Sequence, residues 1–153
     1  MNSRGARGLY FEQFEIDMEI TSQGRTITEA DISAFAGLSG DYNQLHTDEV
    51  YASDATFGQR VAHGLLVISI FSGLAGQTGF MERTVIAFRE IPRWKFSHPV
   101  FIGDTIPVVI KVTKTNKMSQ FTGGAVTFSL DVYNQNNSVV QHGQWVMLMK
   151  SQM

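Results

Sequence analysis

The sequence predicts an α+β fold in which one curved antiparallel sheet covers one long apolar helix. A short strand is followed by helical segments and then by four long β-rich runs, an order typical of α+β layer architectures. The 18 residues 64–81 carry no charge, so a helix formed by them needs other protein around it. No repeat or linker divides the chain, and we expect residues 1–153 to form a single domain.

The composition excludes several classes of function. Charged residues make up 17% of the chain and the net charge is −2, so neither nucleic acid nor a membrane surface is an expected partner. The lack of cysteine excludes disulfides, thiolate nucleophiles and cysteine-ligated metals. No apolar core follows Arg4 and Arg7, so we expect no signal peptide. A cytoplasmic location is expected for the same reason. The polar and glycine residues within 64–81 favour a helix wrapped by protein over a membrane span.

The first element is predicted as a half-buried strand over residues 14–20. Apolar and acidic residues alternate there with a period of two, as in a strand with one face on the core. The apolar set comprises Phe14, Ile16, Met18 and Ile20. A turn is predicted at residues 23–25.

Three helices are predicted next. Thr28 can cap the first one in a capping box with Asp31, and the glycine-rich residues 37–40 end it. Thr47 is predicted as the N-cap of a short second helix, with acidic residues in its first turn. The uncharged helix is predicted from Gly64 to about residue 77.

The rest of the chain is predicted to form long antiparallel strands. Runs rich in Val, Ile, Phe, Thr and Trp are separated by turn signals at residues 103–104 and 136–137. Pro107 is expected near the start of its strand or on an edge, because proline cannot donate to a ladder. The predicted runs cover residues 84–96, 104–119, 120–134 and 138–150.

Residues 40–46, Gly-Asp-Tyr-Asn-Gln-Leu-His, place a carboxylate, an amide and an imidazole in one run. On a continuous helix Asp41 and His46 would point about 140° apart, but Gly40 and Asn43 favour a turn that can bring them together. Such a pair can hold a water and move its protons. The alternative is that Asp41 and Asn43 cap local structure and His46 is a structural histidine, and composition alone favours that alternative.

Gly64 is a second candidate site residue. The N–H groups at a helix N-terminus are unpaired and lie at the positive end of the helix dipole, and glycine lets a ligand carbonyl approach. This arrangement suits an oxyanion site. The alternative is that Gly64 only permits close packing of helix and sheet. No catalytic role is predicted for His63.

Together these segments resemble the MaoC-like, hydratase 2 family of (R)-specific enoyl-CoA hydratases and dehydratases, which have the hot-dog fold. The resemblance begins at residues 35–46 and Ala52 and extends over nearly the whole chain in the family's order. The further matching segments are residues 51–52, 57–58, 60–66, 94–96, 99–100 and 103–105.

The resemblance implies a curved antiparallel sheet around the long helix, with a helical overhang segment. It assigns Asp41 and His46 as the catalytic dyad and Asn43 as the residue that supports the loop. It also assigns the Gly64 N–H to the thioester oxygen. Gln44 departs from the family, which usually has proline there, and the departure leaves the loop less constrained.

The implied activity is that of a lyase of fatty acid metabolism. Water would add reversibly and syn to a trans-2-enoyl thioester, giving an (R)-3-hydroxyacyl thioester. No metal or cofactor is expected, since coenzyme A or acyl-carrier protein arrives with the substrate, and a homodimer is expected. The candidate phosphate contacts are Arg60, Arg83, Arg89, Arg93 and Lys95.

Two other functions remain open at this point. A hot-dog acyl-CoA thioesterase would share the fold and the ligand, but it needs a carboxylate that activates water against the carbonyl carbon. A non-catalytic acyl-thioester-binding subunit would be expected to lack the dyad.

Overall fold

A computed structural model describes residues 7–153, so the predicted absence of a signal peptide falls largely on residues outside the described range. A 3-10 helix at Phe11–Gln13 precedes the other elements. The helices are α1 Glu29–Ser39, α2 Gln44–Thr47, α3 Glu49–Asp54 and α4 Gly64–Gln77. The strands are β1 Glu19–Thr21, β2 Arg25–Thr26, β3 Val85–Phe96, β4 Thr105–Ile106, β5 Val108–Met118, β6 Gly123–Tyr133 and β7 Val139–Lys150.

Five strands form one antiparallel sheet in the order β1-β5-β6-β7-β3, and β2 pairs with β4 in a small second sheet. The predicted α+β class is therefore confirmed. The predicted run 104–119 is divided at Pro107 into β4 and β5, since proline brings no N–H to the ladder.

The sheet covers one face of α4. Phe71, fully buried in this helix, meets Trp94 of β3 and Trp145 of β7 edge-on, with ring centroids 5.7 and 4.7 Å away. The expectation that protein wraps the helix on all sides is wrong for the described chain, because Leu65 is 63% exposed. Small residues accompany Leu65 on the open face: Ser69, Ser72, Gly73 and Gly76.

None of the helices described within residues 7–153 has the length and hydropathy needed to cross a bilayer. The helix α4 itself has 14 residues. About 20 apolar residues are needed for such a span.

The predicted strand at residues 14–20 is wrong over most of its length, because the strand β1 comprises only residues 19–21. Phe14 is buried, whereas Ile16 is 54% exposed, so the two do not share a face. Asp17 takes a left-handed φ of 67°, and the Met18 N–H donates to the Glu15 carbonyl in a turn. An alternating pattern alone cannot distinguish this turn from a strand.

The predicted capping box of α1 is confirmed. The Asp31 N–H donates to Thr28 Oγ1 over 3.2 Å, and the Thr28 N–H donates to Asp31 Oδ2 over 2.9 Å. At the other end, Gly40 adopts a φ of 78° and its N–H donates to the Ala36 carbonyl. Glycine takes this left-handed conformation without strain, which ends the helix here.

The predicted N-cap at Thr47 is wrong by one residue. Asp48 caps α3 by accepting the Tyr51 N–H over 2.9 Å. Thr47 is the last residue of α2, and its hydroxyl donates to the Tyr42 and Asn43 carbonyls. Because α2 and α3 directly follow one another, the carboxylate between them serves as the cap.

Candidate active site

Hydrogen bonds between residues two positions apart order the loop between α1 and α2. The Asp41 N–H donates to Ser39 Oγ over 3.1 Å, and the Asn43 N–H donates to Asp41 Oδ1 over 3.1 Å. The Leu45 N–H donates to Asn43 Oδ1 over 3.0 Å, which makes Asn43 the N-cap of α2. Asn43, a predicted supporting residue, thus holds both the loop and the start of the helix that carries His46.

His46 is half-buried on α2, and its Nδ1 lies 2.6 Å from the Val61 carbonyl oxygen. A carbonyl only accepts hydrogen bonds, so Nδ1 must carry the proton. Nε2 of the neutral ring then keeps its lone pair. In return, the Val61 N–H donates to the Leu45 carbonyl over 3.1 Å, so main-chain and side-chain bonds both tie α2 to residue 61.

The turn brings Asp41 and His46 together, despite their unfavourable spacing for a continuous helix. One side-chain N or O atom each from Asp41, His46 and His63 lies within 4.8 Å of the others. Asp41 is exposed, and its Oδ1 receives the Asn43 N–H. The remaining carboxylate lone pairs are available to a water or substrate.

Geometry disfavours these three residues as ligands of one metal ion. The His46 and His63 rings are stacked with centroids 3.8 Å apart and 29° between their planes. Ring-nitrogen lone pairs lie in the ring plane, so nearly parallel rings do not direct them at one point about 2 Å from both.

Sequence reasoning missed His63. Its side chain is 2% exposed, and its Nε2 lies 2.9 Å from the main-chain oxygen of Asp41. Phe35 of α1 packs on it, with ring centroids 4.9 Å apart. The only available sequence signal was its place directly before Gly64.

Gly64 is the first residue of α4, and the His63 side chain makes no capping bond there. A β-carbon at Gly64 would lie 2.6 Å from Phe96 Cε1, so any larger residue must displace that ring. The predicted oxyanion donor is thus a helix N-terminal N–H at a point where sheet and helix approach closely.

Gln141, also missed, anchors this end of α4 to the sheet. Its side chain is 2% exposed, and its Nε2–H donates to the Gly64 carbonyl over 3.3 Å. Its Oε1 accepts the Trp94 Nε1–H over 3.0 Å. Because these partners are 77 and 47 residues away in sequence, no local pattern could have revealed the contact.

A cavity of about 490 Å³ joins His46 and Gly64. Its walls are largely apolar, and Ser97, His98 and Gln141 add polar groups, a composition common in small-molecule sites. A second cavity of about 450 Å³ lies between α1 and α4 and is not lined by Asp41, His46 or Gly64. Apolar walls of the first cavity are Phe57, Val61, Leu65, Phe96, Pro99 and Val100.

Arg60, one of five candidate phosphate contacts, is engaged within the protein. It pairs with Glu29 of α1 at 2.8 Å and with Glu49 of α3, and its side chain is 15% exposed. Hydrogen bonds to Glu29 and then Glu49 raise the pKa of the Arg60 guanidinium above its usual range. Arg60 thus holds two helices around the site rather than offering a free cation, whereas Arg93 and Lys95 lie exposed on β3.

Comparisons with known proteins identify the family. The profile described as "MaoC like domain" matches residues 12–134. Protein MaoC of Klebsiella aerogenes is 42% identical over 99 residues, which are 65% of this chain but only 29% of that protein. An (R)-specific enoyl-CoA hydratase of Rhodospirillum rubrum is 36% identical over 104 residues, covering 68% of this chain and 69% of the relative.

Solved structures share the fold. A monoamine oxidase regulatory protein of Archaeoglobus fulgidus superposes with a TM-score of 0.90 at 36% identity, over 97% of this chain and 98% of that one. A Mycobacterium tuberculosis protein with a double hotdog fold superposes with a TM-score of 0.84 at 16% identity, over 95% of this chain and 45% of that one. The α+β fold is therefore the hot-dog fold. With the family profile matching most of its length, the chain belongs to the MaoC-like domain family.

Proposed function

We propose that this protein is an (R)-specific enoyl-CoA hydratase, or 3-hydroxyacyl-CoA dehydratase in the reverse direction. The observation that carries the proposal is that His46 and the Gly64 N-terminus of α4 line one largely apolar cavity, with the Asp41 carboxylate placed beside His46. The similarity to a named (R)-specific hydratase supports the same assignment.

The proposed chemistry is syn addition of water across the double bond of a trans-2-enoyl thioester. His46 Nε2, whose lone pair is free in the resting tautomer, accepts a proton from a water that Asp41 helps to orient. The hydroxyl adds to C3 while one proton returns to C2 from the dyad, so the enzyme is unchanged. The Gly64 N–H stabilises the negative charge that develops on the thioester oxygen.

Coenzyme A or acyl-carrier protein is the proposed carrier of the acyl group, and no separate cofactor is invoked. We place the acyl part in the 490 Å³ cavity, because that cavity reaches both His46 and Gly64. Arg93 and Lys95, which are exposed on β3, are the better candidates for the carrier's phosphates. The cytoplasmic location remains a prediction from sequence.

A homodimer is part of the proposal. Strand β3 is an edge of the sheet, and apolar side chains along it are exposed in the single chain. A long exposed apolar edge strand tends to pair with other chains unless it is buried. Pairing with the same strand of a second copy would bury it. The exposed side chains are Ile86 (44%), Phe88 (47%), Ile91 (41%) and Phe96 (54%).

Crotonyl-CoA hydration tests the activity. Loss of the conjugated absorbance, with the (R) product identified by chiral analysis, is expected for the wild type and should fall strongly in Asp41→Asn and His46→Gln. Asp54→Asn and His142→Gln, which change the same residue types away from the cavity, serve as matched controls and should retain activity.

The alternatives give different outcomes in the same assay. Free thiol released without hydration would indicate the thioesterase. Binding of the thioester without turnover would indicate the non-catalytic subunit.

A further inference from the structure

His63 connects three parts of the candidate site, although the chemistry above assigns it no role. Its Nε2 lies 2.9 Å from the Asp41 main-chain oxygen, and its ring is stacked on His46. The ring also meets Phe35 of α1. Its backbone leads directly into Gly64. One buried side chain therefore contacts the Asp41 loop and the His46 ring, while its backbone leads into the start of α4.

The hydrogen bond identifies the tautomer of His63. The Asp41 carbonyl only accepts, so Nε2 carries the proton and Nδ1 is left with a lone pair. Nδ1 is buried and finds no partner among the described residues. Protonation of Nδ1 would create a buried charged N–H group that has no acceptor, which is unfavourable.

The groups facing His63 also favour a neutral ring. Asp41 and His46 are the titratable groups in contact with it, and Phe35 is the apolar group packed from α1. Two stacked imidazolium rings would repel each other, so a proton taken up during turnover stays on one ring. His46 is the less buried of the two and lines the cavity, so the charge formed during turnover belongs there.

The unpartnered Nδ1 is itself informative. An apolar side chain would fill this position without leaving a buried lone pair that lacks a hydrogen-bond donor. A buried polar atom without a partner calls for an explanation in a native protein, and a catalytic role is one such explanation. Here the histidine supplies a donor to the Asp41 loop and a flat neutral surface for His46.

We propose that His63 is a positioning residue for the dyad. Its Nε2–H holds the Asp41 main chain, and its neutral ring keeps His46 oriented with Nε2 towards the cavity. The catalytic consequence rests on the proposed hydratase function, whereas the tautomer and the orientation do not.

The activity test uses three variants of the full chain. His63→Gln keeps an N–H at the reach of Nε2 but loses the ring, His63→Phe keeps a flat ring but loses the donor, and His63→Leu loses both. We expect kcat for crotonyl-CoA to fall by about 100-fold in the leucine variant, with partial recovery in each of the other two, since small misplacements of reacting groups are costly. KM should change much less, and the order of kcat should not follow the order of Tm.

Wild-type kcat in the leucine variant would overturn the proposal. So would a loss of kcat that merely follows Tm, because that result indicates a role in stability alone.

Nitrogen NMR of the imidazoles in the full chain tests the same idea without turnover. At neutral pH the wild type should show His63 with the proton on Nε2 and His46 with the proton on Nδ1. In the leucine variant, the His46 signals should show mixed tautomers or exchange broadening. A protonated His63 Nδ1, or an unchanged His46 in that variant, would overturn the proposal even if the wild type proved inactive as a hydratase.

Discussion

The Nδ1 atom of His46 lies 2.6 Å from the carbonyl oxygen of Val61, fifteen residues further along the chain. This contact determines which ring nitrogen holds the proton. It leaves Nε2 as the acceptor atom of a ring that lines the cavity. The basic atom of the candidate dyad is therefore selected by a main-chain group from another segment.

Substitutions at His46 should separate this structural contact from the chemistry. His46→Asn retains an amide N–H near the position of Nδ1, so we expect Tm close to that of the wild type and kcat lower by about 10²–10⁴-fold. His46→Leu leaves the Val61 carbonyl unpaired and should also lose about 1–3 kcal/mol of unfolding free energy. Urea denaturation and initial-rate kinetics measure the two effects. Equal stability losses in both variants would contradict the assigned contact.

Gly64→Ala tests the close approach of α4 and β3. The new methyl group meets the Phe96 ring at 2.6 Å, and we expect a stability loss of about 1–2 kcal/mol together with a lower kcat/KM as the ring moves. Adding Phe96→Leu should restore part of the stability. Gly73→Ala is the control, because nothing lies within 4 Å of its added methyl, and it should stabilise the helix by roughly 0.5–1 kcal/mol. Equal changes in stability for Gly64→Ala and Gly73→Ala would argue against a steric clash with Phe96 as the cause.

Gln44→Pro should stabilise the loop that carries the candidate dyad. Gln44 is the first residue of α2, and its N–H has no hydrogen-bond acceptor within the part of the chain that the structure describes. Asn43 has φ −53° and ψ 138°, a conformation compatible with a following proline. We expect a gain of about 0.4–1 kcal/mol, read from urea denaturation, with kcat retained. A loss of stability would show that the Gln44 side chain or N–H contributes contacts that proline removes.

The capping box of α1 should make stability depend on acid pH. Burial raises the pKa of Asp31, but hydrogen bonds with the Thr28 main chain and side chain and the nearby Arg25 charge outweigh it, so the pKa of Asp31 in the folded protein is lowered. A lowered folded pKa means that the stabilisation is present above the unfolded pKa of about 4 and is lost as the pH falls through the folded value.

Asp31→Asn should therefore cost about 1 kcal/mol at neutral pH, and the difference from the wild type should shrink in acid. Denaturant titrations of both proteins over a pH series measure this. A constant difference at every pH would contradict the role of the ionised carboxylate.

Local signals were sufficient for much of the fold. The Thr28 cap begins α1 and the left-handed Gly40 ends it, as predicted, and α4 runs from Gly64 to Gln77. These features depend on residues within a few positions of one another. The predicted strand at residues 14–20 failed because an alternating pattern does not report the left-handed Asp17 that turns the chain.

The sequence by itself determined the α+β class, the long uncharged helix with glycine at its start, and the run that carries Asp41, Asn43 and His46. Only the tertiary structure decided which atoms meet. His63, its stack with His46, and the anchoring of Gly64 by Gln141 join segments that lie 17 to 77 residues apart. Residue spacing encodes contacts along one helix or strand, whereas contacts between segments depend on how the whole core packs. For that reason the roles of His63 and Gln141 became visible only in the folded chain.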